Sequence, residues 1–82
     1  MKLVELTEYL VKNLVKDPAG VIVTMSEEEE TIINVKVAEE DIGVVIGKGG
    51  KVANSIRTIV QAAAYTTDQG RVRVNIDTDS EK

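Results

Sequence analysis

A Gly-Lys-Gly-Gly run at positions 47–50 constrains this chain more than any other feature. It directly follows an apolar segment, Ile42-Gly43-Val44-Val45-Ile46, and a helix-like stretch over residues 50–64 comes after it. A short glycine-rich loop that opens a helix presents backbone N–H groups with no partner inside that helix. Together with the positive end of the helix dipole, those groups suit a phosphate. Lys48 adds a cation at the same place. The pattern predicts a phosphate cradle and leaves open which phosphate it holds.

The flanking sequence predicts the surrounding fold. Residues 2–16 read as an amphipathic helix with Leu3, Leu6, Leu10 and Leu14 at helical spacing. Asp17-Pro18-Ala19-Gly20 should end it, because the residue before a proline is pushed away from helical geometry. Val21, Val23 and Met25 alternate with Ile22 and Thr24 as a strand does, residues 26–30 read as a charged turn, and residues 31–37 as a second, antiparallel strand with Ile33, Val35 and Val37 on one face. Glu39, Glu40 and Asp41 then open a short helix that ends near Ile46, where Gly47 can supply a left-handed stop. After the loop, Val52, Ala53, Ile56, Ile59, Val60 and Ala63 form a wide apolar helix face. Residues 71–77 alternate strictly, with Val72, Val74 and Ile76 inward and Arg71, Arg73 and Asn75 outward.

The order α-β-β-α-α-β predicts one α+β domain over residues 1–77, with residues 78–82 expected to fray. A helical crossover makes the second and third strands parallel. The expected sheet is three-stranded and mixed, in the order first-second-third, with three helices on one face.

Composition narrows the function. The chain has neither cysteine nor histidine, so disulfides and thiolate metal sites are excluded and no cofactor is expected. No nucleophile–base pair presents itself, and an enzyme is not expected. No apolar run approaches the ~18 residues of a membrane span. Glu5 and Glu8 interrupt any signal-peptide pattern, so a cytoplasmic setting is expected. The net charge of −4 argues against a polyanion ligand until its distribution is considered. Residues 43–76 hold Lys48, Lys51, Arg57, Arg71 and Arg73 against Asp68 alone, a local charge of +4, so the remainder carries −8. With a screening length of about 8 Å at physiological salt, such a patch acts for itself.

Three glycine-rich motifs compete for the loop. A P-loop needs four residues between its first glycine and Gly-Lys, then Ser or Thr. Between Gly43 and Gly47-Lys48 there are three, and Gly49 stands where the hydroxyl would be. A dinucleotide fingerprint joins a strand to a helix, whereas this loop joins two helices. The third motif fits: Ile46-Gly47-Lys48-Gly49-Gly50, with Gly43 and Val45 upstream, resembles the I-G-x-x-G signature of a KH domain, and the element order resembles the type II variant. The resemblance extends over nearly the whole chain. Leu6-x-x-Tyr9-Leu10-Val11-Lys12-Asn13-Leu14-Val15, the segment from Val37 to Gly43 and the segment from Ile56 to Ala64 are similar to the small bacterial single-KH family called KhpA.

That resemblance implies non-catalytic binding of single-stranded RNA, about four nucleotides held with the loop clamping the backbone. Carried onto this chain, Gly47 and Gly50 would let the helices approach and the loop turn. Backbone amides around Lys48, Gly49 and Gly50 would contact phosphates, with charge from Lys48 and Lys51. Gly43, Val44 and Ile46 would form an apolar wall for bases, supported by Val35 and Val37. Asn54 occupies a place where many KH domains carry Lys or Arg. The implied role is an RNA chaperone or post-transcriptional regulator. Implied partners are a second copy of the chain or a larger RNA-binding protein with its own KH domain.

The alternative is a dimerisation module with incidental RNA binding, for which the apolar face of the last helix offers surface. Arg71 and Arg73 read as solvated edge residues, Glu27 to Glu30 as a solvated turn that keeps RNA off its side, and Tyr9 and Tyr65 as packing residues.

Overall fold

The computed structural model describes residues 2–67 and 70–76; the expected fraying of residues 78–82 falls outside them. Three helices, α1 (Leu3–Lys12), α2 (Ile42–Ile46) and α3 (Lys51–Thr66), accompany three strands, β1 (Ile22–Glu27), β2 (Thr31–Lys36) and β3 (Val72–Ile76). Single 3₁₀ turns occupy Pro18–Gly20, Glu39–Asp41 and Lys48–Gly50. The sheet order is β1-β2-β3. β1 runs antiparallel to β2, with Ile22 opposite Lys36 and Glu27 opposite Thr31. β2 runs parallel to β3, with Thr31 opposite Val72 and Val35 opposite Ile76. The mixed sheet predicted from the crossover is therefore present.

The core forms where strand and helix periodicities meet. Ile33, Val35 and Val37 from the central strand region, Val72, Val74 and Ile76 from β3, and Ala53, Ile56, Val60 and Ala64 from α3 are all buried. The α3 set recurs at three- and four-residue intervals, which places it on one stripe facing the sheet. Ile59 falls off that stripe and is 46% exposed, so the wide apolar face expected of this helix is only partly buried against the sheet.

α1 departs from its leucine pattern. It ends at Lys12, not Lys16, and its buried stripe is Leu3, Thr7 and Val11, while Leu14 is exposed. Thr7 is tolerated in the core because its hydroxyl donates to the Leu3 carbonyl at 2.8 Å. The early stop has a distant cause. Asp41, fully buried, accepts the backbone N–H of Lys16 and of Asp17, each at 3.1 Å. Those two amides are drawn away from the helix axis to satisfy a carboxylate that would otherwise be buried unpaired. Asn13 closes the helix by donating its side-chain amide to the Tyr9 carbonyl at 2.7 Å.

Two further expectations change. Strand pairing continues through Ser26 and Glu27, opposite Ile32 and Thr31, so the charged turn shrinks to Glu28, Glu29 and Glu30. Tyr9 and Tyr65 are 62% and 66% exposed and do not serve as packing residues. The valine- and alanine-rich core fills the space between helices and sheet without them.

Candidate nucleic-acid interface

The corner between α2 and α3 is built by glycines with distinct tasks. Gly47 has φ 75° and ψ 175°, a conformation that essentially only glycine adopts. This is not the left-handed helical stop that its position predicts. A side chain there would also collide: an added Cβ would lie 2.8 Å from the Val52 Cβ and 2.9 Å from the Val52 amide nitrogen. Gly47 thus lets α3 begin directly against the end of α2. Gly49 and Gly50 are also at positive φ, but apart from their chain neighbours no described residue has an atom within 4 Å of a Cβ added to either. They serve the turn alone.

This turn decides which amides face outward. The Gly50 N–H donates to the Gly47 carbonyl at 3.2 Å, and the Lys51 N–H to the Lys48 carbonyl. Of the three amides expected to meet phosphates, the Gly50 amide is thus already engaged. Lys48 and Gly49, the first residues of the turn, have no preceding carbonyl in reach, and no described residue accepts from them. Lys48 and Lys51 are exposed, and among the described residues neither has a carboxylate within salt-bridge distance.

Beside the loop, α2 presents Gly43 and Val44 outward, Val44 at 42% exposure, with Ile46 half-buried. Val45 points inward and is fully buried, in the same core cluster as buried Val35 and Val37. Apart from its chain neighbours and the backbone of its own helix, no described residue has an atom within 4 Å of a Cβ added to Gly43. A glycine inside a helix is unfavourable by about 1 kcal/mol relative to alanine, and here packing does not require it. Its effect is to leave the outer face of α2 open next to Val44.

Along α3, Lys51, Asn54, Thr58, Gln61 and Tyr65 follow one another at three- and four-residue spacing and so share a face. That polar stripe leads from the loop into an open cleft of about 790 Å³ between α3 and the edge strand β3, lined by Arg57, Gln61, Tyr65, Arg71, Arg73 and Glu30, among others. Arg57 is fixed within it: its Nε donates to the Val74 carbonyl at 3.2 Å and its Nη1 to Asn54 Oδ1 at 3.1 Å. Asn54 therefore orients an arginine and takes no basic role itself. Gln61 donates to the Gly70 carbonyl and accepts from the Val72 N–H, both at 2.9 Å, occupying the strand edge as a neighbouring peptide would. Arg71 and Arg73, expected as solvated edge residues, are exposed as expected and also line this cleft. The sequence signal for the cleft was the four-residue spacing of Arg57, Gln61 and Tyr65 on α3.

A Gly-Lys-Gly-Gly corner between two short-coupled helices, carried on a three-stranded β1-β2-β3 mixed sheet, defines a KH domain of the α-β-β-α-α-β kind. The family model described as the KH domain of KhpA/KhpB matches residues 4–76, and the chain belongs to that family. The RNA-binding protein KhpA of Clostridium perfringens is 49% identical over 61 residues, 73% of this chain and 81% of the relative. That of Clostridium acetobutylicum is 44% identical over 73 residues, 88% of this chain and 96% of the relative. The KhpA of Borreliella burgdorferi is 38% identical over 74 residues, 89% of each chain.

Proposed function

We propose that this protein binds single-stranded RNA without catalysis, gripping the backbone with the 47–50 loop, and acts in the cytoplasm as an RNA chaperone or post-transcriptional regulator. The observation that carries this reading is the pair of unengaged amides at Lys48 and Gly49, set between Lys48 and Lys51 and beside the open apolar face of Gly43 and Val44. Two outward N–H groups and two cations suit a phosphodiester, while an apolar wall suits the flat face of a base. The names of the KhpA relatives, RNA-binding proteins, support the same ligand class.

Loop contacts of this kind read the backbone, so they carry little sequence information. Base preference then has to come from Gly43, Val44 and Ile46, and from the cleft beyond, where Tyr65 offers an aromatic face. About four nucleotides fit such a site, which makes for weak binding by one domain and favours a second site on the same RNA. The test is a titration of labelled single-stranded and duplex RNA at several salt concentrations. Single strands should bind more tightly, with a log–log salt slope of about −0.7 for each phosphate contacted. Preference for duplex, or a slope near zero, rejects this reading.

One observation favours an additional role in self-association. Tyr9, Leu14 and Ile59 are exposed around an apolar depression between α1 and α3 that Leu10, Val52 and Ile56 also line. A second copy, or a larger KH-domain-containing RNA-binding protein, would cover this surface and bring a second RNA site. Sedimentation equilibrium tests it: a concentration-dependent dimer is expected for the protein and a monomer for Ile59→Asp. A monomer at every concentration removes the homodimer.

A further inference from the structure

Three arginines line the cleft between α3 and β3, and their surroundings differ. Arg57 is held by neutral acceptors, the Val74 carbonyl and Asn54 Oδ1, and has no carboxylate within 4 Å among the described residues. Arg71 has no carboxylate within 4 Å among the described residues. Of the three, only Arg73 has an acid partner among the described residues: its Nε lies 3.7 Å from Oε2 of Glu30, the last residue of the β1–β2 turn. Both side chains remain largely in water, Arg73 at 68% and Glu30 at 48% exposure. An exposed pair of this kind is weak and exchanges readily. A glutamate carboxylate and a phosphodiester offer a guanidinium similar anionic oxygens.

We propose that Glu30 is a built-in competitor for RNA phosphate at Arg73. The inference rests on the RNA-binding reading above and adds a residue that limits affinity at the far end of the cleft. The route is set by the fold. The α3 stripe starts at the clamp, and Arg57 lies six residues past Lys51, about 9 Å along the helix axis. β3 then carries the path to Arg73, beside the start of β2, where the acidic turn ends. A strand leaving the 47–50 loop along α3 meets two arginines that no described carboxylate pairs and one that is already paired. Taking Arg73 requires displacing Glu30, whose freed carboxylate then faces the RNA. Glu28 and Glu29 share the turn but make no ion pair among the described residues. The effect is therefore assigned to one side chain and not to the acidity of the turn.

The experiment measures the affinity of a fluorescent oligouridine by anisotropy for the wild-type protein, Glu30→Gln, Arg73→Gln, the double variant, Glu28→Gln, and the clamp variant Lys48→Asp/Gly49→Asp. Glu30→Gln should bind roughly two- to fivefold more tightly. Its salt slope should steepen by up to about 0.7, one further phosphate contact. The gain should vanish in the Arg73→Gln background and be clearly smaller for Glu28→Gln, which changes net charge equally. A gain that persists without Arg73, or an equal gain from Glu28→Gln, overturns the proposal in favour of a general charge effect. If wild type binds, the clamp variant does not, and Glu30→Gln gains nothing, the competitor is rejected and the clamp stands. If neither wild type nor Glu30→Gln binds, both fail.

Discussion

Gly47 and Val52 touch where α2 meets α3, and the contact leaves no room for a side chain: a Cβ on Gly47 would stand 2.8 Å from that of Val52. The corner is thus fixed twice, by a backbone conformation reserved for glycine and by direct helix–helix contact. Gly47→Ala should destabilise the domain by about 3 kcal/mol, combining backbone strain with overpacking. Domains of this size are stable by only about 4–12 kcal/mol. Urea denaturation should show a much lower midpoint, whereas Gly50→Ala, which meets only a conformational penalty, should show a smaller drop.

Asp41 links the start of α2 to the chain leaving α1 through two backbone amides. Asp41→Ala leaves both N–H groups without their acceptor and should cost about 2–4 kcal/mol. The urea midpoint should fall with an unchanged slope, since the surface exposed on unfolding stays the same. A loss below about 0.5 kcal/mol would show that water replaces the carboxylate.

Gly43 separates folding from function. Nothing crowds a methyl group at this helical position, so Gly43→Ala should stabilise the fold by about 0.5–1 kcal/mol. The same methyl fills the open space beside Val44, and RNA affinity should fall. Thermal unfolding and RNA titration on one sample check both halves. A variant that is more stable and binds RNA unchanged would remove Gly43 and its neighbours from the interface.

These residues also show how far the sequence could be read. Strand alternation at Val72, Val74 and Ile76, and the crossover between β2 and β3, made the mixed sheet legible, because both depend on local periodicity and chain handedness. The glycine corner was legible because few residue patterns reverse a chain so tightly. The end of α1 was not. It depends on Asp41, 25 residues beyond Lys16, and no local signal announces that contact. Asp41 looked like one of three acids favouring a helix start, and only burial distinguishes it from Glu39 and Glu40. The cleft was partly hidden for a related reason. Arg71 and Arg73 fit a solvated edge, and their shared space with Arg57 appears only once α3 lies alongside β3.

The central claim is that the 47–50 loop holds an RNA backbone, and the Lys48→Asp/Gly49→Asp variant tests it most directly. Gly49 has φ 64° and ψ 19°, a left-handed conformation that aspartate tolerates better than most residues. Both positions are exposed, so the fold should survive. The variant places two carboxylates where phosphate oxygens would lie. With circular dichroism and urea midpoint close to wild type, anisotropy should show RNA affinity lowered by at least roughly tenfold, about 1.4 kcal/mol. A folded variant that binds single-stranded RNA as tightly as wild type would contradict the clamp.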